Sequence, residues 1–146
     1  MRVAADDVRF AVPAARLGIA YPDAGVRQLV AAAGSAAAAG SAAAAEILLT
    51  DAVFDAADAA RWGLVSRVVA KDVLERTGGD LATTIASGAP LTASAVKTAI
   101  AAVIAGSTPD VVSDAEEAIR AFWDSEDLRQ GQRAFAEKRT PEFQGD

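Results

Sequence analysis

The stretch AEILLTDAVFDAADAARWGLVSRVV, Ala45 to Val69, carries the clearest local grammar in the chain. Asp55 precedes Ala56-Ala57-Asp58, so Asp55 reads as the N-cap of a short helix, with Asp58 favourably placed near its positive end. Gly63 comes at the position where a left-handed residue closes a helix. Leu64 to Val69 is apolar and rich in valine, which predicts a strand. A short helix turning sharply into a strand points to a mixed α/β architecture.

Upstream, Arg2–Ala4 and Val8–Val12 are short apolar pieces around Asp6 and Asp7, which suits two strand edges joined by a turn. Val26 to Ala33 turns helical. Then comes GSAAAAGSAAAA, a perfect tandem repeat of residues 34–39 by residues 40–45. Six residues added within a helix would lengthen it by about 9 Å and rotate the downstream residues by roughly 120° off register. The alternative is that Gly34 ends one helix, Ser41 caps the next, and the first copy forms a loop. The repeat reads either as a tolerated insertion or as a flexible lid.

Downstream the pattern is helical. Lys71 to Ser87 is periodic through Leu74, Leu81 and Ile85, and Gly78-Gly79 predicts a break or fraying, because each glycine costs about 1 kcal/mol relative to alanine. Val96, Ile100, Val103 and Ile104 form an apolar stripe after Pro90. Val111, Ala115, Ile119 and Phe122 form another after Thr108-Pro109, an N-cap followed by proline at the first helical position. Ser125-Glu126-Asp127 announces a last helix, with Lys138-Arg139 expected in its last turn and Pro141 as its stop. Trp62, Phe122 and Trp123 read as packing residues.

Composition narrows the chemistry. A chain of 146 residues is the size of one domain, and folding such a chain removes roughly two-thirds of its unfolded surface from water. The residues are 52% apolar but only 5% aromatic, so the core must be built from Ala, Val, Leu and Ile, as in closely packed helices. There is no Cys and no His, which excludes zinc sites, disulfides and Ser-His-Asp or Cys-His catalysis. Any acid or base is carboxylate, Tyr or Lys. A net charge of −6 argues against a broad nucleic-acid or anionic-membrane surface. No apolar run approaches ~18 residues, and RVAADD after Met1 lacks the layout of a secretory signal, so the expected compartment is the cytoplasm. Asp51, Asp55 and Asp58 do not make a metal site on this reading, since two of them fit helix-start roles.

Several segments together resemble the enoyl-CoA hydratase/isomerase family, also called the crotonase family. FAVPAARLGIAYPDAG, Phe10 to Gly25, is similar to its strand and turn beside the acyl group. Ala45 to Val69 is similar to its helix end, Thr-Gly-like turn, "DA-x-x-A" helix and "GLV-x-x-VV" strand. Ala89-Pro90-Leu91 with the Lys97 helix fits, as does SEDLRQGQRAFAEKRTPEF, Ser125 to Phe143. Deleting one copy of the hexapeptide brings Gly34 or Gly40 and Glu46 to the family's spacing. The resemblance implies a helix-rich α/β fold: the C-terminal part of a crotonase-like ββα spiral over residues 1–70, then a C-terminal helical region over residues 71–146.

For function, the resemblance implies an acyl-CoA-processing protein that stabilises a thioester enolate. Coenzyme A arrives as part of the substrate, with no separate cofactor. The family's two oxyanion-hole amides and one of its two glutamates belong to turns of the spiral that this stretch does not resemble, so the isolated chain is expected to be a poor catalyst. The second glutamate would come after Pro13, where this chain has Ala14. Two other groups stand near that position. Tyr21 corresponds to a tyrosine of methylmalonyl-CoA decarboxylases and reads either as a phenol that orients or protonates a reacting group or as a ring packed in the pocket wall. Asp23 reads either as an acid near the place where isomerase members carry one or as a turn residue. Ala14, Leu17 and Ile19 would shape the acyl wall.

Arg129, Arg133, Lys138 and Arg139 form a basic stretch. In the family this region folds over the CoA pocket, commonly that of a neighbouring subunit, so Phe135 and Lys138 are candidates for adenine and phosphate; the alternative is a solvated helix end. Family members are usually trimers or pairs of trimers, which implies a homo-oligomer with no nucleic-acid or membrane partner. The competing reading is a non-catalytic assembly or regulatory module that binds a related subunit.

Overall fold

The computed structural model describes residues 1–34, 37–105, 113, 116–117, 119–120 and 122–146. The chain divides into two compact units, Met1–Gly78 and Gly79–Asp146.

In the first unit, β1 (Val3–Ala5) pairs in parallel with β4 (Arg67–Val69), while β2 (Arg9–Phe10) pairs antiparallel with β3 (Phe54–Asp55). The two opening strands therefore do not form a hairpin about Asp6-Asp7; each goes to a different partner. α1 (Ala14–Leu17), α2 (Asp23–Ala32), α3 (Ala37–Thr50) and α4 (Ala56–Arg61) fill the intervals. Asp55 caps α4 as its sequence position implies, its Oδ1 accepting the Asp58 N–H at 2.9 Å. Gly63 closes the turn with φ of 75°. Leu64 and Val65 then donate their N–H groups to the Ala59 carbonyl, which is why the predicted strand starts only at Arg67.

The core lies where these pieces converge. Ile47, Phe54, Ala56, Ala59 and Val65 are buried together with Ala4. Phe54 stacks on Phe10 with centroids 5.4 Å apart and meets Trp62 edge-on at 4.9 Å, so three aromatics meet in this core.

The tandem repeat is used twice in different ways. Gly34 has φ of 116° just after α2, whereas Gly40 and Ser41 lie inside α3, so Ser41 is not an N-cap. A Cβ at Gly40 would stand 2.6 Å from the Val30 carbonyl oxygen. The second glycine is what lets α3 approach α2 so closely.

α5 (Leu74–Ala86), entered through a 3₁₀ turn at Lys71–Val73, runs unbroken through Gly78-Gly79, contrary to expectation. Leu74, Thr77 and Leu81 are half-buried along one side and the two glycines are exposed, so the glycines weaken the helix without removing a packing contact. The division between the units falls between them.

The second unit contains α6 (Pro90–Ala105) and a last helix, Glu126–Ala136. The start predicted at Thr108-Pro109 lies outside the described residues, as do Val111 and Ala115; Ile119 and Phe122 are helical. Ser125 caps the last helix, its hydroxyl oxygen accepting the Leu128 N–H at 3.1 Å. That helix stops at Ala136, and Lys138 takes φ of 54°, so Lys138 and Arg139 lie past the helix rather than forming its last turn. Glu126 accepts hydrogen bonds from Arg129 and Arg133; the Arg129 bond is the chief reason its carboxyl sits below the usual glutamate range.

Asp127 is 2% exposed. Its carboxylate accepts the N–H groups of Gln144, at 2.9 Å, and Gly145, at 3.1 Å, while the Glu126 and Asp127 N–H groups donate to the Asp146 backbone oxygen. The chain's last residues are thus folded back onto the start of the last helix.

Among the described residues, no single helix is long and apolar enough to cross a membrane.

Candidate functional site

The segment from Val12 to Pro22 curls around a cavity of about 290 Å³, at the small end of ligand-pocket sizes. Pro13 has no N–H to satisfy and stands as the N-cap of α1. Gly18 ends α1 with φ of 65°, its N–H donating to the Ala15 carbonyl, and Ile19 donates to Ala14 at 2.9 Å. A single tight turn therefore carries Ala14, Leu17, Ile19 and Tyr21 onto one lining. Ala14 is buried; Leu17, Ile19 and Tyr21 are exposed. The Tyr21 ring lies over the open face of Gly25, where a Cβ would come 3.1 Å from Cδ1.

The wall is made of Val, Pro, Ala, Leu and Ile side chains, and the Tyr21 phenol is the single polar side-chain group among the lining residues. Such a surface accepts an apolar group and offers one proton donor. No carboxylate lines it.

Asp23 is not among these residues. It occupies the first position of α2 and accepts a hydrogen bond from Arg27 Nε at 2.6 Å, one helical turn on; this bond holds the Arg27 guanidinium above its ordinary value. Its side chain thus bonds another side chain rather than nearby backbone.

In the sequence, Asp51 stands out only as a metal-ligand possibility. Its Oδ1 accepts the Ala15 N–H at 3.2 Å, across 36 residues of chain. No local pattern signals such a contact, because it depends on the packing of α1 against α3. Asp55 is engaged as a cap and Asp58 pairs with Arg61 at 2.6 Å, so each of the three carboxylates has a distinct partner.

Phe135 and Lys138 belong to the second unit. Phe135 is 88% exposed. Arg129 and Arg133 pair with Glu126, and Arg139 pairs with Glu137 at 2.5 Å; among the described residues Lys138 has no such acidic partner. Two further cavities occupy this unit. One of about 530 Å³ lies between the end of α5 and α6, beside Ser94 and Lys97; the other, about 240 Å³, lies between α6 and Ile119, Phe122 and Trp123.

Comparison with known proteins supplies the context for this geometry. The family model described as enoyl-CoA hydratase/isomerase matches residues 1–146. The chain is 34% identical to a carnitinyl-CoA dehydratase of Citrobacter koseri over 147 aligned positions, covering 98% of this chain and 54% of that relative. Among solved structures, an enoyl-CoA hydratase/isomerase family protein from Hyphomonas neptunium superposes with a TM-score of 0.85 at 31% identity, over 100% of this chain and 53% of that one. An enoyl-CoA hydratase/carnithine racemase from Magnetospirillum magneticum gives 0.82 at 33% identity, over 100% and 52%. The chain spans about half the length of the relatives it matches.

Proposed function

The chain belongs to the enoyl-CoA hydratase/isomerase family, its helix-rich α/β architecture being part of the crotonase fold, and from that premise we propose that it carries one wall of an acyl-CoA pocket. The observation that carries this reading is the apolar cavity whose lining offers a lone phenol beside Ala14. An acyl chain lies against Leu17, Ile19 and Ala14, and Tyr21 faces the reacting carbons. Without a carboxylate at position 14, two-carboxylate hydration has no second acid here; a phenol serves a proton transfer or the orientation of a departing carboxylate. Phe135 and Lys138, exposed and without an acidic partner among the described residues, suit the adenine and phosphates of CoA, with the pocket they serve belonging to a neighbouring subunit.

The chain corresponds, on this proposal, to the latter half of its relatives. The amide dipoles that stabilise a thioester enolate lie in polypeptide outside these 146 residues, and such donors contribute several kcal/mol to the transition state. The isolated chain then leaves crotonyl-CoA unconverted. In a lengthened form that supplies the donors, Tyr21→Phe lowers kcat by about 10²-fold with a smaller change in KM. Conversion by the homogeneous 146-residue chain would overturn the first statement, and an unchanged kcat in Tyr21→Phe the second.

A second reading, a non-catalytic module that assembles with a related subunit or another copy of itself, is favoured by α6, where Val103 is 73% exposed and Val96, Ile100 and Ile104 stand exposed beside it.

A further inference from the structure

Asp51 ends α3 in the left-handed region, with φ of 52°, where side chains are disfavoured and Asp is among the few types tolerated. The Thr50 hydroxyl fixes the same turn from the other side, donating to the Glu46 carbonyl at 2.6 Å and accepting the Ala52 N–H at 3.3 Å. The turn delivers the Asp51 carboxylate to Ala15, the second residue of a helix only four residues long. Helix starts leave N–H groups without intrahelical partners, and Pro13 has no side-chain acceptor to offer them. α1 is therefore tied at its far end by Gly18 and Ile19 and at its near end by a carboxylate from a distant turn. Both Ala14 and Leu17, at the two ends of α1, line the cavity.

We infer that Asp51 is a positioning residue for this pocket: by holding the first turn of α1 it sets where Ala14 and Leu17 stand, and so the size of the apolar group the cavity accepts. The size clause rests on the acyl-pocket reading above; the positioning clause does not. Asp51 is absent from the cavity lining and does not act on a ligand directly.

The test compares wild type, Asp51→Gly and Asp51→Asn in the 146-residue chain by NMR. Glycine keeps the left-handed turn and removes the acceptor; asparagine keeps an Oδ1 acceptor. The Ala15 N–H is expected to exchange about tenfold faster in Asp51→Gly than in wild type, and the Leu17 and Ile19 methyl resonances to move, with Asp51→Asn restoring both. The probes for size are the butyryl and octanoyl thioesters of N-acetylcysteamine at millimolar concentration, tracked at the same methyls. Their affinity ratio is expected to change about fivefold in Asp51→Gly and to return in Asp51→Asn.

Unchanged Ala15 exchange and methyl positions in Asp51→Gly would overturn the positioning clause, as would a wild-type Ala15 N–H exchanging like an unfolded peptide. Altered methyl positions with an unaltered thioester ratio would overturn the size clause. A wild type whose methyls respond to neither thioester counts against the acyl-pocket reading and the size clause, while Ala15 and the methyls still decide positioning.

Discussion

The two units differ in what they bury. Residues 1–78 bury Ile47, Phe54 and Val65 around three touching aromatics, whereas the described buried residues of 79–146 are Ala95, Ala102 and Ala134 with Ser125 and Asp127. Among the described residues of the second unit, Val103, Ile104, Trp123 and Phe135 face outward, while Leu91, Phe122, Leu128 and Phe143 are half-buried. Apolar periodicity thus reports that a face is to be covered, without saying by what. In the first unit a core of larger side chains forms although Leu17, Leu49 and Val53 stay exposed; in the second, the buried polar network at Asp127 does part of the work that a core does elsewhere.

The contrast can be tested by substitution. Phe54→Ala removes the central ring of the first unit and is expected to lower unfolding free energy by about 3–5 kcal/mol in urea denaturation monitored by circular dichroism. A loss below about 1 kcal/mol would mean that Phe54 is not the keystone that its two ring contacts imply. Asp127→Ala leaves the Gln144 and Gly145 N–H groups without their acceptor and is expected to cost about 2 kcal/mol, with faster exchange of those two amides. Stability unchanged there would remove the distinction between a core-built and a network-built unit. Val103→Ser, at the outward face of α6, is expected to change monomer stability by no more than about 0.5 kcal/mol while weakening any self-association seen by sedimentation. A large loss of stability would place Val103 in a core after all and erase the contrast.

Much of this was legible in the sequence where the determinants are local. Asp55 and Ser125 cap helices because a short acceptor side chain placed just before helix formers specifies that geometry within four residues. Gly63 is left-handed for an equally local reason. The family resemblance of the run from Phe10 to Gly25 singled out Ala14, Leu17, Ile19 and Tyr21 together, and they share one cavity because a single tight turn carries them.

Non-local features were not legible. Gly78-Gly79 suggested a break, yet propensity is a weak prior and the half-buried side of α5 continues past both. Ser41 resembled a cap, but close approach at Gly40 places both residues within α3. Strand partners could not be read from Arg2–Ala4 or Val8–Val12, because pairing is chosen by tertiary packing. Asp51 entered the sequence reading only as a metal-ligand possibility and Asp127 only as an acid in a helix's first turn, and only the fold brings them to Ala15 and to Gln144-Gly145.

The folded-back end of the chain has a practical corollary. With the Gln144 and Gly145 amides and the Asp146 backbone oxygen already engaged, any polypeptide following Asp146 departs from a point held at the start of the last helix. Because the sequence contains no cysteine, one thiol introduced at the solvent-facing Leu49 or Phe135 would be the only attachment point for a maleimide dye, and would report on either unit with the terminus left in place.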